Sequence, residues 1–183
     1  MDKTGSNFSF KVMSFTFKLR DLFIPRMNIL EEVGINPGFV LLDYGCGPGS
    51  YIKPTAELVG KSGKVYALDI NPIAIQMVQN IIAKNQLKNV ETIRSDCKTG
   101  LPDSSVDIVL LYDTFHDLND PGGVMEELHR VLKPDGTLSF SDHHMKENEI
   151  VSRVTNRGLF KLSEKGKRTY SFLKEKKILS IPT

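Results

Sequence analysis

The sequence predicts an α/β fold built on a doubly wound, mostly parallel sheet that ends in an antiparallel hairpin. Three observations carry this reading. Apolar strand-like runs alternate with helical patterns from residue 28 to residue 156, the order expected of a parallel sheet with helices on both faces. Val106-Asp107-Ile108-Val109-Leu110-Leu111 is almost continuously apolar, as a strand covered on both faces must be. Leu41-Leu42-Asp43-Tyr44 runs straight into Gly45-Cys46-Gly47-Pro48-Gly49, a turn in which no Cβ stands between backbone N–H groups and a ligand.

The elements follow in chain order. Residues 1–26 hold Phe8, Phe10, Phe15, Phe17 and Phe23, half of the chain's 10 phenylalanines. Such a segment packs on a sheet edge or helix face, or closes over a substrate pocket as a lid. Residues 28–34 read as a short helix stopped by Gly34, before Pro37-Gly38 turns into the first strand. Pro48 and Pro54 blur the start of the next helix, whose safest part is 55–59. Residues 65–69 form the second strand. Asn71 caps, and Pro72 begins, a helix reaching about residue 85, with Ile73, Met77 and Ile81 on one face beside Val78 and Ile82. Residues 90–95 and 106–111 are the third and fourth strands. A helix over 121–132 ends at Lys133-Pro134-Asp135-Gly136, and 137–141 is the fifth strand. A helix over 147–156 then leads to a hairpin, with 159–162 and 169–172 flanking Lys165-Gly166.

Length and composition bound the function. A chain of 183 residues is one domain with room for a sizeable core. Its 40% apolar and 25% charged content is ordinary for a globular protein. No apolar run approaches the ~18 residues of a membrane span, and Lys3, Lys11 and Lys18 interrupt any signal-peptide core. Cys46 and Cys97, both beside motif positions, read as reduced thiols, so a cytoplasmic location is expected. Net charge is +2, with seven basic and two acidic residues in 161–183 against 17 and 20 in the rest. The balanced body argues against a dedicated nucleic-acid binder. The basic tail at 175–183 is read as a frayed terminus. The sequence leaves the oligomeric state open.

The glycine spacing excludes one ligand class and suggests another. A dinucleotide fingerprint needs a third glycine where this chain has Ser50. Asp69 closes the second strand 20 residues past Gly49, where an acid can accept both hydroxyls of a ribose. Asp43 to Gly49, Asp69, Ser95-Asp96-Cys97, the run from Asp107 to Asp113 and Leu132-Lys133-Pro134-Asp135-Gly136 together resemble, in family order, the motifs of class I S-adenosylmethionine-dependent methyltransferases. The resemblance covers residues 27–174. It is nearest to the small-molecule branch similar to ubiquinone and menaquinone biosynthesis enzymes.

That resemblance implies a Rossmann-like, seven-stranded methyltransferase fold over 27–174 and S-adenosylmethionine as cofactor. It implies Asp69 on the ribose, Asp96 on the adenine amino group and the Cys97 N–H near a ring nitrogen. Asp43 either braces the glycine turn or reaches the amino-acid portion through water, and Tyr44 and Gly45 contact the methionine part. Cys46, Gly47, Gly49, Ile70 and Tyr112 complete the cofactor set. Four carboxylates around one crevice suit a cationic sulfonium and would repel a pyrophosphate.

Methyl transfer is an in-line displacement, so placement supplies much of the rate and a base is needed only if the acceptor loses a proton early. Asp113, His116 and His143 are the catalytic candidates, with Asp142 and His144 at the same rim. Asp113, Asp142, His143 and His144 are also a set that could hold a divalent metal. The Asp-Asn pairing that metal-dependent catechol-type enzymes carry after the fifth strand is absent, and no metal is assigned. Tyr112-Asp113-Thr114-Phe115 stands where an Asp/Asn-Pro-Pro-Tyr segment would mark an amino-methylating enzyme, and there is no Pro-Cys nucleophile. A small-molecule acceptor remains. The alternatives are a non-catalytic cofactor-binding regulatory module and a nicotinamide-dependent reductase.

Overall fold

The computed structural model describes residues 26–175. The Phe-rich residues 1–25 of the expected N-terminal segment, and residues 176–183 of the tail, lie outside the described residues. Helix α1 (Met27–Leu30) runs on as a 3-10 turn over Glu31–Val33 and stops at Gly34, which takes the left-handed conformation with φ 70°. Then come β1 (Val40–Tyr44), α2 (Ile52–Val59), β2 (Lys64–Asp69), α3 (Pro72–Asn85), β3 (Val90–Arg94) and β4 (Val106–Tyr112). A 3-10 turn (Phe115–Asp117), α4 (Pro121–Val131), β5 (Leu132–Ser141), α5 (Glu147–Thr155), β6 (Phe160–Lys165) and β7 (Tyr170–Lys174) follow among the described residues. Asn71 caps α3 by accepting the Ile73 N–H at 2.9 Å, and Asp120 caps α4 by accepting the Gly123 N–H at 2.9 Å.

One seven-stranded sheet runs in the order β3-β2-β1-β4-β5-β7-β6. The pairs among β1 to β5 are parallel, and β7 runs antiparallel between β5 and β6. This is the mostly parallel sheet with a terminal hairpin that the alternation predicts. Successive residues of β4 feed opposite cores: Val109 and Leu111 join Leu128, Phe140, Phe160 and Phe172, while Ile108 and Leu110 join Leu41, Ile52 and Val65. Glu32, just past α1, accepts the backbone N–H groups of Arg168 and Thr169 and the Thr169 hydroxyl, tying the first helical segment to the β6–β7 turn. Among the described residues no helix is long and apolar enough to cross a membrane.

Two expectations need correction. The most buried residues of α3 are Ala74, Ile75 and Val78, not Ile73 and Met77, so the inward face is rotated from the one predicted. Strand β5 also starts at Leu132, so Lys133-Pro134-Asp135-Gly136 is part of the strand, with a register irregularity against Val106 and Ile108, rather than a turn before it.

Candidate functional site

Parallel strands place their carboxyl ends on one rim, so Asp43, Asp69, Asp113 and Asp142 gather there from β1, β2, β4 and β5. The strand order reverses direction about β1, and ligands of open α/β sheets sit at such a switch point. The loop after β1 is the glycine turn. Gly45, Gly47 and Gly49 have φ of 78°, 51° and 85°, a region that costs a residue bearing a Cβ about 1–2 kcal/mol. Each glycine also has its own spatial reason. A Cβ on Gly45 would lie 2.3 Å from Thr114 Oγ1, and one on Gly49 would lie 2.8 Å from Ile81 Cδ1. A Cβ on Gly47 meets nothing within 4 Å among the described residues. Gly47 therefore borders open space.

The N–H groups of this turn are satisfied internally. Gly45 and Cys46 donate to Leu68 O at 2.8 and 2.9 Å, Gly49 donates to Cys46 O at 3.0 Å, and Gly47 donates to Asp69 Oδ2 at 2.8 Å. The turn thus offers a ligand room rather than donors, which corrects the expectation that its N–H groups reach the ligand. Asp69 Oδ1 accepts the Asn71 N–H at 2.8 Å, so one carboxylate stitches the glycine turn to the start of α3. Burial raises the Asp69 pKa, and N–H donation from Asn71 and Gly47 holds it back. Each of its oxygens keeps a lone pair for a hydroxyl. Beside it Ile70 is 43% exposed, an apolar flank on the rim.

Asp43 is buried, and among the described residues its Oδ2 has no hydrogen-bond partner. Burial, and then the charge of Asp69, push its carboxyl up to about 7. A buried acceptor without a partner is unfavourable unless a ligand supplies the missing donor or cation. The Cys46 thiol is buried and strongly resists ionisation, so it packs rather than reacts. Tyr44 and Tyr112 turn their side chains inward: the Tyr44 hydroxyl donates to Asp96 O at 3.0 Å, and the Tyr112 hydroxyl pairs with Ser139 Oγ at 2.7 Å. Asp96 is exposed, and the half-buried Cys97 donates its N–H to Ser95 Oγ at 3.4 Å.

The other half of the rim comes from the registered ends of β4 and β5, where Tyr112 lies opposite Ser141. Asp113 extends that ladder by donating its N–H to Ser141 O at 2.7 Å, and takes φ 51°, a conformation aspartate tolerates better than most residues. Its Oδ1 accepts the His143 N–H at 3.1 Å and lies 2.7 Å from His143 Nδ1. Asp142, its side chain wholly buried, accepts the N–H groups of His116 and His144 at 3.2 and 3.1 Å. Its oxygens lie 2.9 and 3.0 Å from His116 Nδ1. The His144 ring packs between the other two, its centroid 4.2 Å from that of His116 and 3.9 Å from that of His143.

Asp113, His116 and His143, read separately from the sequence, are thus one cluster with Asp142 and His144. Sequence reasoning misses Asp142 as its hub, although a polar run Ser141-Asp142-His143-His144 directly after an apolar strand is a usable signal. It also misses Thr114, which packs against Gly45 and donates to Tyr112 O at 2.9 Å. Thr114 is where the two halves of the rim touch.

The family model described as "Methyltransferase domain" matches residues 35–177. The chain is 30% identical over 127 residues to the ubiquinone/menaquinone biosynthesis C-methyltransferase UbiE of Hahella chejuensis, covering 68% of this chain and 51% of that one. It is 30% identical over 114 residues to the demethylmenaquinone methyltransferase of a Geobacillus species, covering 62% and 49%. A SAM dependent methyltransferase from Aquifex aeolicus superposes with a TM-score of 0.72 at 29% identity, covering 86% of this chain and 96% of that one. A structure from Methanococcus maripaludis superposes with a TM-score of 0.79 at 16% identity, over 99% and 100% of the two chains, and shares the fold. The chain spans about half the length of the curated relatives it matches.

Proposed function

The chain belongs to the class I S-adenosylmethionine-dependent methyltransferase family, and from that premise we propose that it transfers the methyl group of S-adenosylmethionine to a small-molecule acceptor. The observation that carries the reading is the open face of the glycine turn at Gly47, whose N–H is held by the Asp69 carboxylate at the end of β2. These residues fit the cofactor. Asp69 accepts the ribose hydroxyls, Ile70 flanks the adenine, and Asp96 and the Cys97 N–H read its edge. Asp43 faces the cationic methionine end, with the backbone of Tyr44 to Gly49 alongside. A turn whose N–H groups are already satisfied is a poor cradle for a pyrophosphate, which disfavours the nicotinamide alternative.

When bound, the cofactor supplies an activated methyl group, so the protein's task is chiefly placement. Asp113, His116 and His143 border the acceptor. His116 turns Nδ1 to the Asp142 carboxylate at 2.9 Å, and its Nε2 lies 3.4 Å from Asp117 Oδ2. The curated relatives are named for ubiquinone and menaquinone biosynthesis, which makes a quinone precursor the first acceptor to assay. Calorimetry tests the cofactor assignment. Asp69→Ala should weaken S-adenosylmethionine binding at least tenfold, about 1.4 kcal/mol. Unchanged affinity, or NADH binding more tightly than S-adenosylhomocysteine, overturns it.

A further inference from the structure

We propose that Asp113, Asp142 and His143 form a binding site for a divalent first-row transition metal at the carboxyl ends of β4 and β5. This departs from the sequence reading, which assigns no metal because the residue after Asp142 is a histidine. The folded chain makes that histidine the informative feature. One carboxylate oxygen from Asp113, one from Asp142 and one imidazole nitrogen from His143 all lie within 4.8 Å of one another. Ions of this class sit roughly 2.0–2.2 Å from carboxylate oxygen and imidazole nitrogen. A small side-chain rotation closes the set. His143 can supply it, because its side chain is 60% exposed.

The fixed part of the site is already built. Asp142 is wholly buried and oriented by the N–H groups of His116 and His144 together with the His116 ring. Ligating carboxylates are characteristically held in this way by their neighbours. Asp113 is aimed by the registered strand ladder and lies 2.7 Å from His143 Nδ1, so the two ligand atoms already face each other. Two carboxylates neutralise the charge of a divalent ion. The mixed oxygen and nitrogen set, with two further imidazoles packed beside it, selects the chemical class. Imidazole suits Zn²⁺, Fe²⁺ or Co²⁺, whereas Mg²⁺ and Ca²⁺ prefer oxygen-only sets. Three protein ligands leave positions open for water or for an oxygen-bearing acceptor. The proposal stands whatever the acceptor is.

The test uses the full untagged chain, stripped with a chelator and titrated with Zn²⁺ by calorimetry and with Co²⁺ by visible absorption. Saturable one-to-one binding with a ligand-field band is expected. Asp113→Asn and His143→Ala should each weaken it at least tenfold with circular dichroism retained. Should Asp113→Asn lose its fold, the exposed His143→Ala decides alone. Absence of saturable uptake, wild-type affinity in His143→Ala, or Mg²⁺ bound more tightly than Zn²⁺ overturns the site. S-adenosylhomocysteine affinity in the same samples reports separately on the methyltransferase reading.

Discussion

Asp43 is an unfavourable arrangement in the folded protein, a buried carboxyl oxygen without a partner among the described residues. Its carboxyl is raised to about 7 by burial and by Asp69, while in the unfolded chain it titrates near the ordinary ~3.9. Between those values the folded state holds a proton that the unfolded state has released. Stability therefore falls as pH rises from about 4 to about 7, by about 4 kcal/mol, and is level above that. Asp43→Asn cannot ionise. Urea denaturation at pH 5 and pH 8 should show the variant gaining on the wild type as pH rises. Parallel pH profiles would contradict this account of the buried carboxyl. The same residue-scale logic separates the glycines: Gly45 and Gly49 are small because Thr114 and Ile81 crowd them, whereas Gly47 alone faces space.

At the scale of elements, the loop carrying Asp96 and Cys97 is held by helix α4. Glu127, on the buried face of α4, accepts the Thr99 N–H at 2.8 Å and its hydroxyl at 2.7 Å, and pairs with Arg130, which in turn reaches Leu101 O at 2.9 Å. The Arg130 hydrogen bonds hold the Glu127 carboxyl down at about 2. A depressed carboxyl contributes stability above its unfolded value, and that contribution is lost as pH falls through the folded value. Glu127→Gln should therefore lose about 3 kcal/mol at neutral pH, with the deficit shrinking between about pH 4.5 and 2. Chemical denaturation across that range measures it, and a deficit independent of pH would contradict the ionic account.

None of that network is readable in the sequence, because Glu127 and Thr99 are 28 residues apart. Local signals read well: Asn71-Pro72 marks the α3 start, and Gly34 marks the end of the first helical segment. The phase of α3 does not, since apolar residues at 73–75, 77–78 and 81–82 spread over an arc of about 200°, wider than one buried face. Ala74, Ile75 and Val78 are the ones buried, and Val78 and Ile81 stand against the space that a Cβ on Gly49 would take. The rim behaves alike. Strand ends predict that Asp113, Asp142 and the histidines gather, but the pairing of His116 with Asp142 and of His143 with Asp113 is tertiary.

For the whole molecule, the sheet joins the rim of β1 to β3 to the rim of β4 and β5 through one continuous hydrogen-bonded layer with a core on each face. A ligand at the switch point therefore binds only the folded state and stabilises all of it. At 100 times its dissociation constant that stabilisation is about 2.7 kcal/mol. For a domain of this size each kcal/mol raises Tm by about 2–4 °C, so saturating S-adenosylhomocysteine should raise it by about 5–10 °C. Gly47→Val separates binding from folding. Its side chain enters open space rather than the core, so the fold survives with about 1–2 kcal/mol of backbone strain and a Tm lowered by a few degrees. The same side chain fills the ligand's place, so the S-adenosylhomocysteine shift should vanish, and NADH should shift neither protein. A variant that keeps the full shift would show that the glycine serves only the geometry of the chain.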